Sequence, residues 1–212
     1  MPTTESIPAV DARGQAPYMG VRRPQVLEAA VRMLALGGDR ALTYRTVDTA
    51  AGVPSGTASN NFRTRRALLM GAASHTERGC RRVFDELLEQ HEPASTRQLA
   101  KMLKEYLADA ASDTSRTGIL ARAHTALLPL ALGNPELAEL LATSHQLHTG
   151  ALQRRLVAIN PAAPPWLAAL IADYLAGTLA NLHATGTTDT RGLTALTELL
   201  NHHSTPGLRA PR

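Results

Sequence analysis

The sequence predicts an all-α protein of about nine helices, and three observations carry that expectation. Only 3% of the 212 residues are aromatic while Ala and Leu abound, a composition that favours helices over strands. Apolar residues recur at spacings of three and four along most of the chain. Gly and Pro clusters interrupt those stretches at intervals suited to helix ends. With 44% apolar and 19% charged residues the chain can bury a substantial core.

Residues 1–20 show no periodicity and read as a loose tail. The first helix begins near Pro24, tolerated in a first turn, with Leu27, Ala30, Val31 and Leu34 on one face and an end expected at Gly37-Gly38. Thr43 can cap a short second helix, Tyr44–Ala51, with Leu42 and Val47 as a hydrophobic staple. Gly52 marks a sharp turn, and Pro54 leads into a third short helix, Ser55–Phe62. Thr64 can cap a long fourth helix to about His91, with Leu69, Ala73, Thr76, Cys80, Val83 and Leu87 on one stripe. Further helices are expected at 96–111, 115–128, 135–159, 165–185 and 190–203, separated by Pro129, Gly133-Asn134, the Pro161–Pro165 cluster and Gly186. Residues 204–212 read as a frayed tail.

Charge is unevenly placed. Residues 1–82 hold 12 Arg against 6 acids, whereas residues 83–212 hold 10 Lys plus Arg against 12 acids. A basic N-terminal module suits a polyanion, most simply double-stranded DNA. Cys80 is the only cysteine, which excludes an internal disulfide and fits a reducing cytoplasm. No secretory pattern and no long apolar run is evident, so no membrane association is expected.

The stretch Leu42–Leu69, LTYRTVDTAAGVPSGTASNNFRTRRALL, carries the functional signal. Two short helices about a glycine turn can place one helix in the major groove while the other braces it. Ser55, Gly56, Thr57, Ser59, Asn60 and Asn61 give the second helix a small polar surface, and Asn can pair with an adenine edge. Arg45, Arg63, Arg65 and Arg66 flank it as phosphate partners, and Thr43, Tyr44 and Thr64 stand at helix starts, where free N–H groups attract phosphate. A module used only for packing would explain Val47, Ala51, Val53, Phe62 and Leu68, but not a polar helix ringed by arginine.

This stretch resembles the DNA-binding segment of TetR-type transcriptional regulators. The matching or conservatively replaced positions are Thr43, Arg45, Val47, Ala51, Gly52, Val53, Gly56, Thr57, Phe62, Thr64, Arg65, Leu68 and Leu69. The resemblance implies a DNA-binding domain over 21–70, a ligand-binding and dimerising domain over 71–203, and a ligand-responsive regulator, a repressor, that binds a palindromic operator as a homodimer. Four positions depart from the family pattern. Asp48 replaces a small Ala and is expected to reach the surface or pair with Arg45; Ser59 and Asn61 replace an aromatic Tyr and a His that grip phosphate; Pro54 replaces the Ser that caps the recognition helix.

The later helices supply a ladder of small residues, Ala168, Ala172, Ala176 and Ala180, beside Leu167, Ile171, Leu175 and Leu179. Small residues permit close helix approach, so the ladder with Leu179, Leu196 and Leu199 is the expected dimer interface. Polar and aromatic residues among apolar faces are candidates for contacting a small organic effector: Met102, Tyr106, Arg122, His124, Thr125, His145, His148, Trp166, Tyr174 and His183. His145 and His148 stand three apart, but without a third ligand a solvated helix face is the better reading than a metal site. No cofactor is called for, and the sequence holds no phosphate loop, nucleophile elbow or zinc-protease motif, so no enzyme is expected. The rival reading is a ligand-binding scaffold of the same fold with weakened DNA binding.

Overall fold

The computed structural model describes residues 22–186 and Glu198. Among them the chain forms eight α-helices and no strand: α1 Arg22–Ala41, α2 Tyr44–Ala51, α3 Thr57–Asn61, α4 Arg65–His91, α5 Thr96–Ala110, α6 Arg116–Ala131, α7 Pro135–Ile159 and α8 Pro165–Thr185. The ninth expected helix, 190–203, with Leu196 and Leu199, lies outside the described residues, as do the two tails.

Helix starts follow side-chain chemistry. Thr43 and Thr46 form a reciprocal box, Thr46 N–H donating to the Thr43 hydroxyl at 3.2 Å and Thr43 N–H to the Thr46 hydroxyl at 3.1 Å. Thr64, Ser95, Ser115 and Asn134 cap α4, α5, α6 and α7 in the same way with single side-chain bonds. At Gly37-Gly38 the backbone leaves helical geometry, with φ of −150° and 60°, so the first helical run ends where expected and a short further run within α1 reaches Ala41. One expected break does not end its helix. Pro129 lies within the last turn of α6, on its exposed side, where only one backbone bond is lost and the ring's fixed φ suits the helix.

Two apolar cores form. The first gathers Val26, Ala30, Leu34, Leu42, Val47, Ala58, Phe62, Leu68 and Ala72 from α1–α4, and is completed by Leu120, Ala123 and Leu127 of α6 with Leu137 and Leu141 of α7. The N-terminal module is thus packed onto residues well beyond position 70. The second core joins the far half of α4 to α5, α7 and α8 through Phe84, Leu88, Leu103, Leu107, Leu152, Leu156, Leu167 and Ile171. By length and composition alone α8 is apolar enough to cross a membrane, a test that the core helix of a bundle also passes. Here it is a core helix, with Leu167, Ile171, Leu175 and Leu179 turned inward.

Candidate nucleic-acid interface and interior cavity

In the N-terminal module Gly52 ends α2 at φ 64°, a left-handed conformation that costs glycine little, and its N–H caps the helix on the carbonyls of Asp48 and Thr49. Gly56, at φ 91°, opens α3 and has no side chain with which to cap it. Asp48 does so instead. Its carboxylate is 4% exposed and accepts from the N–H of Gly56 and the N–H of Ala58, each at 2.7 Å. The expectation that Asp48 reaches the surface or pairs with Arg45 is therefore corrected. With Pro54 in place of a capping serine, the free N–H groups of α3 are satisfied from α2 across the turn, and this also explains why a charge is tolerated between the helices.

The same bracing recurs at the other end of α3. The Tyr44 hydroxyl donates to the Phe62 carbonyl at 2.8 Å, so Tyr44 ties α2 to the end of the recognition helix. On α3 itself, Thr57 Oγ1 donates to the Pro54 carbonyl at 2.6 Å, Ser59 to Gly56 at 3.0 Å, and Asn61 Nδ2 to the Thr57 carbonyl at 2.9 Å. Ser55 and Asn60 are exposed, and Asn60 makes no side-chain hydrogen bond to the described residues. Arg45 and Arg63 are exposed with no ion pair among the described residues. Arg65 pairs with Asp39 at 2.8 Å, and Arg66 forms a two-point contact with Glu136 at 2.8 and 3.2 Å. Thr43 and Thr64 stand exposed at the starts of α2 and α4.

In the larger part of the molecule a half-open cavity of about 430 Å³ lies between α4, α5, α6, α7 and α8. Of the sequence candidates, Tyr106, His124, His145 and His148 line it. The others do not. Met102 is packed into the core at 1% exposure, Trp166 is half exposed, Arg122 turns to Asp113, and Thr125 bonds His183 at 2.9 Å. Tyr174 packs against the second core. Sequence reasoning missed Phe84, Leu141 and Ser144 in the wall, and Glu77 just behind it. An acid beside the apolar stripe of α4, next to Thr76, was the available signal for Glu77.

The dimer expectation for α8 also needs correcting. Ala168, Ala172 and Leu179 are buried within the chain itself, and Ala172, Ala176 and Leu179 face the cavity. Ala180 is half-buried. The Ala and Leu ladders sit on adjacent sides of one helix: the bundle covers the Leu ladder along its length and the Ala ladder only at Ala168 and Ala172, beyond which Ala176 and Ala180 are half-buried. The exposed strip of α8 instead runs through Trp166, Leu170, Asp173 and Gly177.

Electrostatics concentrate at one side of the cavity. Glu77, 4% exposed, holds His124 Nδ1 with Oε1 at 2.7 Å, while Oε2 has no hydrogen-bond partner. Burial alone would raise the Glu77 carboxyl, but the hydrogen bond and charge of His124, with the nearby Ser144 hydroxyl and His148, bring it below the usual carboxylate value. Burial pushes His148 below the usual imidazole value and pushes the Cys80 thiol and Tyr106 phenol well up, so these three remain uncharged at neutral pH. Phe84 meets Tyr106 and His148 edge-on at 5.7 and 5.6 Å. Among the described residues no three His, Cys, Asp or Glu side chains are grouped to hold a metal ion.

A helix-turn-helix head on an all-helical body with an interior cavity defines a class: helical DNA-binding regulators with a ligand pocket. No family model and no curated protein matches the chain by sequence. Solved structures do match. A Rhodococcus sp. protein assigned to the TetR family superposes with a TM-score of 0.67 at 19% identity, covering 87% of this chain and 98% of that one. A TetR-family member from Streptomyces coelicolor A3 gives 0.60 at 26% identity, with 85% and 96% covered. The multidrug binding protein EbrR, in complex with imidazole, gives 0.61 at 25% identity, with 91% and 97% covered. The chain therefore shares the fold of solved TetR-family transcriptional regulators.

Proposed function

We propose that the protein is a ligand-responsive transcriptional repressor, binding a palindromic operator as a homodimer and released by a small organic molecule held in the cavity. One observation carries the coupling: Leu141 lines the cavity and is also part of the apolar core beneath the helix-turn-helix. Cys80 of α4 does the same from the cavity side. A ligand that displaces these residues moves groups on which α1–α3 are seated, and the shift in DNA affinity equals its preference between the two arrangements.

Several features support the assignment of roles. Asn60 projects from α3 and Ser55 from the turn before it as base readers, while Arg45 and Arg63 are exposed beside them for phosphate. Arg65 also remains partly exposed, although it pairs with Asp39. EbrR has been crystallised with malachite green, proflavin and ethidium, which favours an organic effector here. The exposed strip of Leu170 and Gly177 on α8 is the surface offered to a second copy. The rival scaffold reading loses one of its three supports, because Asp48 caps α3, and it keeps Ser59 and Asn61 in place of the family's phosphate-gripping residues.

The test is selection of a preferred duplex from a randomised pool, followed by titration across salt concentrations. A preferred site of two-fold symmetric sequence, bound with steep salt dependence, is expected. Equal binding of selected and scrambled duplexes would leave the scaffold reading in its place.

A further inference from the structure

A second opening lies at the joint between head and body. It is a half-open crevice of about 210 Å³ between α1, α4 and the start of α6, with Val31, Ile119 and Leu120 in its wall, and it shares no lining residue with the larger cavity. A Cβ at Gly79 would stand 2.6 Å from the Leu120 side chain, so α4 and α6 meet here at a glycine and fix one side of the crevice. The volume is below the usual range for a drug-sized ligand and suits a smaller one.

Arg32 and Arg116 both line the crevice, and the acids closest to them in the chain are engaged elsewhere. Glu28 stands one turn before Arg32 on α1, yet its carboxylate meets His75 at 2.8 Å. Asp113 stands three residues before Arg116, yet it holds Arg122. Among the described residues neither Arg32 nor Arg116 forms an ion pair. Arg32 instead donates to the Ala50 carbonyl at 3.2 Å. At that end of α2 the Gly52 N–H serves the carbonyls of Asp48 and Thr49, and Arg32 serves the next one.

We propose that this crevice is a second ligand site, which takes a small phosphate monoester between Arg32 and Arg116 and thereby draws Arg32 away from the end of α2. A phosphoryl dianion offers a guanidinium full charge and several oxygens, whereas Ala50 offers one neutral carbonyl. Thr114 adds a hydroxyl at the rim, and Val31 and Ile119 add an apolar wall for a short carbon chain. Loss of the Arg32 bond leaves a carbonyl of α2 uncapped and loosens the helix that braces α3, so duplex affinity falls. The effect on DNA rests on the regulator reading, whereas the binding itself does not.

Calorimetric titration of the full chain with glycerol 3-phosphate, against glycerol and against sodium chloride at matched ionic strength, tests the site without DNA. Saturable binding is expected for the ester and not for the controls. Arg116→Gln is expected to weaken it about tenfold or more by removing one charged donor. Arg116 is exposed at the start of α6, so the variant should fold, which circular dichroism checks, and should bind the duplex normally without the ester. Inorganic phosphate binding as well as the ester would assign recognition to the phosphoryl group alone, and tighter binding of the ester would add the apolar wall. No saturable heat in wild type, or equal binding by wild type and Arg116→Gln, would overturn the site while leaving the regulator reading intact. At constant ionic strength the ester should lower affinity for the selected duplex in wild type and not in Arg116→Gln. Equal loss in both would show competition at the arginines of the head and overturn the coupling, as would binding of the ester with no loss of duplex affinity.

Discussion

The head and the body treat buried polar groups in opposite ways. In the helix-turn-helix, Asp48 has both carboxylate oxygens satisfied by backbone N–H groups, Thr43 and Thr46 cap each other, and the Tyr44 hydroxyl closes the end of α3. In the body, Glu77 Oε2, Arg122 Nε, Thr149 Oγ1 and Gln153 Oε1 are buried without partners, and every such atom among the described residues lies there. A surface that must read DNA repeatedly in one geometry benefits from a recognition helix whose ends are held from within. None of those four residues lines the cavity, so the contrast is between a head whose buried polar groups are closed from within and a body whose packing leaves some of them open.

The chain's two phenylalanines give the strongest test, since Phe62 belongs to the head and Phe84 to the cavity. Phe62→Ala should cost about 3–5 kcal/mol in denaturant unfolding, because the ring is 3% exposed among residues of four helices that cannot collapse around the void. DNA binding should be lost with it. Phe84→Ala should cost less, about 2–3 kcal/mol, because one side of the ring already faces open space, and it should weaken aromatic ligands while sparing DNA affinity. Equal costs, measured under the same conditions, would show that the cavity wall is packed as tightly as the head.

Asp48→Ala comes next, at about 1.5–3 kcal/mol, since it leaves two N–H groups at the start of α3 without their charged acceptor. Asp48→Asn should recover part of this, having one carbonyl oxygen to offer in place of two. Both should lower affinity for the selected duplex more than for scrambled DNA, as the recognition helix loses its fixed start. A loss confined to stability, with sequence preference intact, would mean that α3 is positioned by packing alone.

Acidification should act mainly on the body. His148 titrates below its ordinary value of 6.5 in the folded chain, so it is unfolded protein that takes up the proton first, and stability should decline as the pH falls below about 6.5. Glu77, whose folded value lies below 4.5, adds stability above that pH and loses it as the carboxylate is protonated at still lower pH. Thermal melts of His148→Gln against wild type should therefore converge in their pH dependence only above about 6.5. The smallest effect is expected for Arg66→Ala. Its pair with Glu136 is exposed, 66% and 55% at the two side chains, and should be worth under about 1 kcal/mol. A larger loss would reveal a rigid strut between the head and α7.

Much of the head was legible because its signals are local. Thr43, Gly52, Thr64 and the staple of Leu42 with Val47 act through neighbours within a few residues, and such chemistry does not depend on how the rest of the chain is arranged. Asp48 was misjudged because its partners, Gly56 and Ala58, lie eight and ten residues away across the turn. In the body, helical periodicity marked α4 to α8 correctly, yet it placed Ala172 and Ala176 on an outer surface and Met102 in the pocket.

The sequence by itself determined the all-helical class, the helix starts and the glycine turn, since backbone hydrogen bonding and capping are settled within a few residues. Only the tertiary structure decided which of two adjacent faces of α8 looks inward, that α6 and the start of α7 complete the core beneath the recognition helix, and that Glu77 meets His124 from another helix. Periodicity states that a face is apolar, but what that face covers depends on the crossing of helices distant in the chain, and that information is carried by the packing of the whole bundle.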